Sequence, residues 1–484
     1  MKLKHLPIFG VILFAIVIRI IFFCGYCLGD DPVYFAYANM IADYHYPSFN
    51  ILNPFAFRPL FLLPIGLSLY LFGRSETALI LPVFIASIIT VILTYLIAKK
   101  LWGYWEGVLS ALFLAIFPMD IVHASTLTND IILSAFISLS FYFFIKSKKE
   151  EKGLSFAFWS GLILGLSTQV KINGYIAILI LLGWAIYEDL KNKKISKNTI
   201  YLFSGCVIAQ LLIALFYTII TSNPLMPISS EIFYNHKHLL PGLLNRELSE
   251  ILLFYPKFLI GFFKEGHTNF RFMAYGIHFY VFIVAIVYFL LKRDKNTLFP
   301  IFWFFIFFLL MEFLPLKFYP YRPIHRLPRF LIPLFVPLCL IVGLFFYELF
   351  SKKKKALTLI MIFVLLIIGI FSIKEAAKKS YLFKDCMRDP KLAANFILKH
   401  NFNNIATDIE LKACLIFFLP KRNQKILDLD YHKEDISGKT ILILGGSRRP
   451  ELDPAYPVRF FPKRIPYDWR MMFRDKCLGI TKQR

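Results

Sequence analysis

Acidic residues are scarce in this 484-residue chain: 31 Asp and Glu stand against 55 Lys and Arg, and charged residues of both signs make up only 18%. A soluble protein of this length needs more polar surface than that, because its loops and outward helix faces meet water. The net charge of +24 would suggest nucleic acid in a soluble chain. Here it sits in short lysine clusters between apolar segments, the pattern of cytoplasmic loops drawn toward anionic head groups. Nucleic-acid binding is therefore not indicated. The seven cysteines lack zinc-type pairs of CxxC motifs; Cys24-Gly25-Tyr26-Cys27 stands alone at a helix end and reads as packing rather than redox chemistry. Cys386, Cys414 and Cys477 fall in the final polar region, where one disulfide is conceivable. There is no internal repeat, which argues against a transporter built from paired halves. The start carries Lys2 and Lys4 but no small-residue cleavage site, and its apolar run is long, so a retained first span is expected.

What is present in quantity is apolar: 58% hydrophobic residues, including 54 phenylalanines. Runs such as 6–28 and 356–373 can cross a hydrocarbon core, which takes roughly 20 helical residues. With the N-terminus inside, spans are expected near 6–28, 77–98, 106–122, 127–145, 155–170, 174–189, 199–221, 272–291, 298–314, 330–350 and 356–373. The stretch 59–72 is short and flanked by proline, and is read as an interfacial or re-entrant helix. Counting it as a span would put Lys99-Lys100 outside and invert every later loop. Under this reading each inside loop is rich in lysine. From Lys374 charges become frequent, and short runs such as Ile441-Leu442-Ile443-Leu444 read as buried strands. The expected fold is mainly α, a polytopic membrane protein of about eleven spans over 1–373, with a small extracytoplasmic α/β domain over 374–484.

The chemistry concentrates at the outer face. Asp30 and Asp31 follow the first span directly. One of them can cap the next helix, with Asp31 before Pro32 as good cap chemistry. The second is left for a general base or a cation ligand. Asp130 opens a span at the same face, among the alternative caps Thr126, Thr128 and Asn129. Lys171 lies between two outer span ends, where its stem could also snorkel. The outer loop 319–329 carries Arg322, Arg326 and Arg329 against the positive-inside tendency, and a guanidinium fork suits phosphate oxygens. Arg19 inside the first span and Glu312 near a span end are flagged as intramembrane charges. Glu231, His236 and His238 in the long outer loop are candidate metal ligands, as are Asp30 and Asp31.

Several motifs carry a family resemblance. Gly29-Asp30-Asp31-Pro32-Val33-Tyr34-Phe35 resembles the acidic motif after the first span of the GT-C superfamily, which includes the protein O-mannosyltransferases and the aminoarabinose transferase that modifies lipid A. Arg58-Pro59-Leu60, Leu71-Phe72-Gly73-Arg74-Ser75-Glu76, Ala98-Lys99-Lys100-Leu101-Trp102-Gly103, Phe117-Pro118 and Thr128-Asn129-Asp130 continue it in order, over about residues 15–175. Arg329-Phe330-Leu331-Ile332-Pro333 is similar to a later family motif. The resemblance implies an inverting glycosyltransferase with a polyprenyl-phosphate sugar donor, an outward site and a lipid, glycan or protein acceptor. It implies Asp30, Asp31 and Asp130 as site carboxylates without deciding which of Asp30 and Asp31 is the base, for which Asp30 is favoured, and it implies Lys171 at the lipid phosphate, where the guanidinium fork also places Arg326 or Arg329. A divalent cation is a candidate cofactor, since members of the superfamily differ in this. The alternatives are a transporter or lipid flippase, and a polysaccharide polymerase or ligase; acids and arginines gathered at one face favour the transferase.

Overall fold

The fold is known from a computed structural model that describes residues 6–27, 30–151, 153–244, 252–260, 277–324, 326–352 and 355–400, with shorter stretches between 404 and 483. The chain forms two compact units. The first comprises Met1–Phe23, Tyr37–Phe262 and Phe272–Ala377, and the second includes Cys24–Ala36 and Lys378–Arg484.

Apolar helices build the first unit. In order they are α1 (Leu6–Ile21), α2 (Asp31–Ala42, which begins in the second unit), α3 (Pro59–Phe72), α4 (Glu76–Leu101), α5 (Tyr104–Ala115), α6 (Pro118–His123), α7 (Asn129–Ser147), α8 (Gly153–Leu166), α9 (Gly174–Lys191) and α10 (Lys197–Thr221). There follow α11 (Met226–Tyr234), α12 (Leu240–Leu244), α13 (Phe254–Ile260), α14 (His278–Lys292), α15 (Leu298–Phe313), α16 (Phe335–Ser351) and α17 (Lys355–Cys386). Among the described residues, six helices are long and apolar enough to cross a membrane, and α1, α3, α5 and α14 are shorter apolar helices. Burial sorts them. Phe335 to Val342 are all buried, so α16 is central, whereas α10 turns Leu211, Leu215 and Ile219 outward and α17 does the same with Leu359, Phe363 and Ile370. Such apolar faces are stable only against lipid or another apolar surface.

Local chemistry accounts for the boundaries. Ser75 and Ser196 cap α4 and α10, accepting from Ala78 N and Thr199 N at 3.1 Å each. The expected span 106–122 is split, because Pro118 pushes Phe117 into extended backbone and a new helix starts there. Proline likewise tightens 328–334 into a 3₁₀ segment before α16. Helix α3 has the bounds expected of it, and Gly73 leaves it at φ 78°, a left-handed conformation that needs glycine. Packing between helices relies on small residues. A Cβ on Gly161 of α8 would collide with the Leu202 carbonyl of α10, and one on Gly205 with the Phe158 carbonyl. Ser140 and Ser160 tie α7 to α8 by exchanging hydroxyl-to-carbonyl bonds of 2.9 and 2.7 Å.

The first unit has one short antiparallel pair, β1 (Pro315–Lys317) with β2 (Arg322–Pro323), and the second unit holds α18 (Arg388–His400) and a mixed sheet of β3 (Asn404–Thr407), β4 (Lys425–Asp428), β5 (Ile441–Gly445), β6 (Trp469–Arg474) and β7 (Leu478–Gln483), in the order β4-β3-β5-β7-β6. Strand β3 is parallel to β4 and β5, and β7 is antiparallel to β5 and β6. Tyr26 belongs here too, stacked on Phe417 with centroids 4.4 Å apart. Two differences from expectation follow: α17 runs unbroken past residue 373 to Cys386, and the segment carrying the Asp30-Asp31 pair joins the second unit. Cys24 and Cys27 are buried. Cys414, Cys477 and the disulfide considered for that region lie outside the described residues.

Candidate active site

Helix α7 opens at Asn129 with Asp130 in its first turn, where the helix dipole favours a carboxylate. Asp130 is fully buried. Lys171, in the turn between the 3₁₀ segment Ser167–Gln169 and α9, donates from Nζ to Asp130 Oδ1 at 2.6 Å. The other carboxylate oxygen, Oδ2, is buried without a hydrogen bond and lies 4.0 Å from Arg329 Nε. The ring of Phe330 lies beneath both cations, 3.6 Å from Lys171 Nζ and 5.9 Å from Arg329 Cζ. Two cations thus converge on one carboxylate, from a turn and a 3₁₀ segment far apart in sequence. Burial pushes the Lys171 ammonium down to about 8; Asp130 opposes the fall, and Arg329 and Arg58 add to it.

The lysine turn is held from α10. Gln210 Nε2 donates to the Gly165 carbonyl at 2.9 Å and to Thr168 Oγ1 at 3.3 Å, and its Oε1 accepts from Tyr175 OH at 3.2 Å. Tyr217 OH donates to Gln169 Oε1 at 2.8 Å.

Arg58 adds a further buried cation. It precedes α3, bonds Glu231 Oε2 of α11 at 3.1 Å and sits over Phe55. Read in the sequence only as part of a motif, it carried the same signal as the loop arginines: a guanidinium at the end of an apolar helix. Arg326 is nearly fully buried and donates from Nη1 to Glu312 Oε1 at 2.6 Å. Arg322 donates to the carbonyls of Leu243 and Tyr321. His325 lies outside the described residues.

Arg19, flagged as an intramembrane charge, has a complete local account. It is buried against Asp120, and Ser87 Oγ accepts from Arg19 Nε at 2.8 Å and donates to Asp120 Oδ2 at 2.7 Å. Its other bonds go to the Ala15 and Ala115 carbonyls.

Asp30 and Asp31 belong to the second unit. The Asp30 carbonyl accepts from Val33 N and Tyr34 N, so the cap of α2 falls to Asp30. Asp31 starts the helix, and its Oδ2 turns back to accept from Cys27 N at 2.9 Å. The candidate metal ligands do not form a cage. His236 and His238 are exposed on the turn Asn235–Leu239, and Glu231 is engaged by Arg58. Among the described residues no group of three His, Cys, Asp or Glu side chains could hold an ion.

Residues 54–217, which include Arg58, Asp130 and Lys171, match the family described as dolichyl-phosphate-mannose-protein mannosyltransferase. No curated protein matches the sequence. Among solved structures, the chain is similar to ArnT from Cupriavidus metallidurans bound to undecaprenyl phosphate, with a TM-score of 0.61 at 14% identity, over 98% of this chain and 97% of that one. It is also similar to the Archaeoglobus fulgidus oligosaccharyltransferase tethered to an acceptor peptide with the NVT sequon (TM-score 0.60, 13% identity, 86% of this chain and 63% of that one). The same archaeal protein, AglB, in complex with an inhibitory peptide and a dolichol-phosphate gives a TM-score of 0.55 at 12% identity, over 92% and 70% of the two chains. Matched segment and architecture agree with the resemblance read from the first motifs: this chain has the fold of the GT-C membrane glycosyltransferases.

Proposed function

We propose that the protein is an inverting glycosyltransferase that moves a sugar from a polyprenyl-phosphate donor to an acceptor at the extracytoplasmic face. The observation that carries the proposal is the cluster of Asp130, Lys171 and Arg329, within a fold whose solved examples include one bound to undecaprenyl phosphate and one with a dolichol-phosphate. Compartments outside the cytoplasm lack nucleotide sugars, which makes a membrane-anchored donor the available choice.

In the proposed reaction a carboxylate of the Asp30-Asp31 pair, with Asp30 preferred, takes the proton of the acceptor hydroxyl. The acceptor oxygen attacks the anomeric carbon, and the bond from that carbon to the phosphate oxygen breaks with its electron pair. The departing lipid phosphate gains negative charge, which Lys171 and Arg329 stabilise. Arg326, engaged by Glu312, lines the same outer loop, and Asp130 holds Lys171 charged and oriented.

The proposal extends to topology: eleven crossings, the N-terminus in the cytoplasm and residues 374–484 outside, supported by lysines in every loop this order puts inside. The direct test incubates purified protein in nanodiscs with radiolabelled polyprenyl-phosphate sugars and cell-envelope extract. Label should pass to an envelope acceptor with wild type and not with an Arg329→Ala variant. Transfer only from diphosphate-linked donors would replace this reading with a polymerase or ligase.

A further inference from the structure

Glu312 is fully buried one residue from the end of α15, and its carboxylate is shared between two segments distant in sequence. Oε1 accepts from Phe254 N at 2.9 Å and from Arg326 Nη1 at 2.6 Å; Oε2 accepts from Tyr255 N at 2.9 Å. Arg326 Nη1 also reaches the Glu312 carbonyl at 3.3 Å, and its guanidinium lies 5.3 Å from the Phe254 ring. From α13 the contacts return to the arginine loop: Tyr255 OH donates to the Leu327 carbonyl at 3.2 Å. Two residues beyond Leu327 is Arg329, 4.0 Å from Asp130. A buried carboxylate with three donors is held firmly, and the groups around it are held in turn.

We infer that Glu312 is a positioning residue: by locking Arg326 and the start of α13 it sets the path of 326–329 and so delivers Arg329 to the Asp130–Lys171 pair. The inference rests on the proposed reading of that cluster as the lipid-phosphate site. It makes Glu312 a determinant of phosphate recognition that itself touches no phosphate.

The test compares undecaprenyl phosphate with undecaprenol, its neutral alcohol, binding to the full chain in phosphatidylcholine nanodiscs. Wild type should prefer the phosphate. Glu312→Gln keeps the size of the side chain but loses the charge that holds Arg326, and should weaken phosphate binding by about tenfold or more while leaving the alcohol unchanged. Glu312→Asp, which keeps the charge on a shorter stem, should restore part of the preference. The double variant Glu312→Gln/Arg326→Gln should be no weaker than the Glu312 single, because both act through one contact. Glu348→Gln, at a pair with Lys292 and Tyr288 elsewhere in the first unit, serves as the control for loss of a carboxylate. An equal fall for phosphate and alcohol would make Glu312 merely structural and overturn the inference, as would a Glu312→Gln protein with wild-type preference. If Glu312→Gln cannot be purified folded, Glu312→Asp decides by the same ratio. A wild type that does not distinguish phosphate from alcohol would instead overturn the phosphate-site reading itself.

Discussion

Replacing Lys171 with methionine removes the cation 2.6 Å from Asp130 Oδ1 while keeping an unbranched chain of similar length. Treated with an effective dielectric of about 20, that separation corresponds to an attraction of about 6 kcal/mol, and Arg329 at 4.0 Å to about 4 kcal/mol. Desolvation of both partners offsets much of this. Breaking a buried pair by removing one member typically costs about 3–5 kcal/mol, because the other charge is stranded. Arg329 can close on the stranded, buried carboxylate charge, so Lys171→Met should fall near the lower end, about 3 kcal/mol. Asp130→Asn removes the stranded charge, and the Lys171→Met/Asp130→Asn double should recover about 2 kcal/mol relative to the sum of the singles. Unfolding in mixed micelles titrated with SDS measures all three. A Lys171→Met protein within about 0.5 kcal/mol of wild type, or a strictly additive double, would refute the claim that the pair is energetically coupled.

Four further outcomes are expected. Lys171 has a folded-state pKa of about 8, below its ordinary 10.5, so its ammonium is present below that pH and lost as pH rises through it. Undecaprenyl phosphate affinity should therefore fall above pH 8 in wild type, with a flat profile in Lys171→Met; parallel profiles would remove Lys171 from the phosphate site. Asp30→Asn or Asp31→Asn should slow transfer by about 10²–10⁴ with donor binding intact, and near-normal turnover in both would return the pair to capping. Gly205→Leu should destabilise the protein by about 1–3 kcal/mol or block its insertion, since the added side chain meets the Phe158 backbone; wild-type melting would contradict the close packing of α8 and α10. Alkaline phosphatase fused after Arg484 should be active in a bacterial host, and activity at Lys148 or Lys353 instead would invert the topology.

Helix positions were legible because a membrane makes hydropathy an almost direct record of where backbone must satisfy itself. The short α3 was recognisable from its length and prolines, and Phe117-Pro118 marked the place where a helix breaks. Hydropathy records the edge of the apolar layer, however, and not the end of a helix. Lys374-Glu375-Ala376-Ala377-Lys378-Lys379 is polar yet helix-forming, so α17 passes through the expected boundary at 373. Side-chain partners were much less visible. Asp130, Lys171 and Arg329 could each be named from the sequence, but not the contacts among them. The pairing of Arg19 with Asp120 spans 101 residues, and that of Arg326 with Glu312 joins a loop to a helix end. Such pairs depend on how helices pack, which the periodicity of a single segment does not encode. The company that Tyr26 keeps with Phe417 is hidden for the same reason.

The bonds from Gln210 and Tyr217 to the turn around Lys171 bear on rate as well as on architecture. A donor arriving at a loose turn would have to organise it, and the free energy of ordering would be subtracted from binding or added to the barrier. Here α10, locked against α8 by near backbone contact, has already set the turn. In the proposed reaction, charge moving onto a leaving phosphate would therefore meet dipoles and a cation that need not reorient, which lowers the reorganisation term of the activation barrier. On this view Gln210, remote from any reacting atom, belongs to the kinetics of the site: loosening it would slow the chemical step while leaving the charges that attract the donor unchanged.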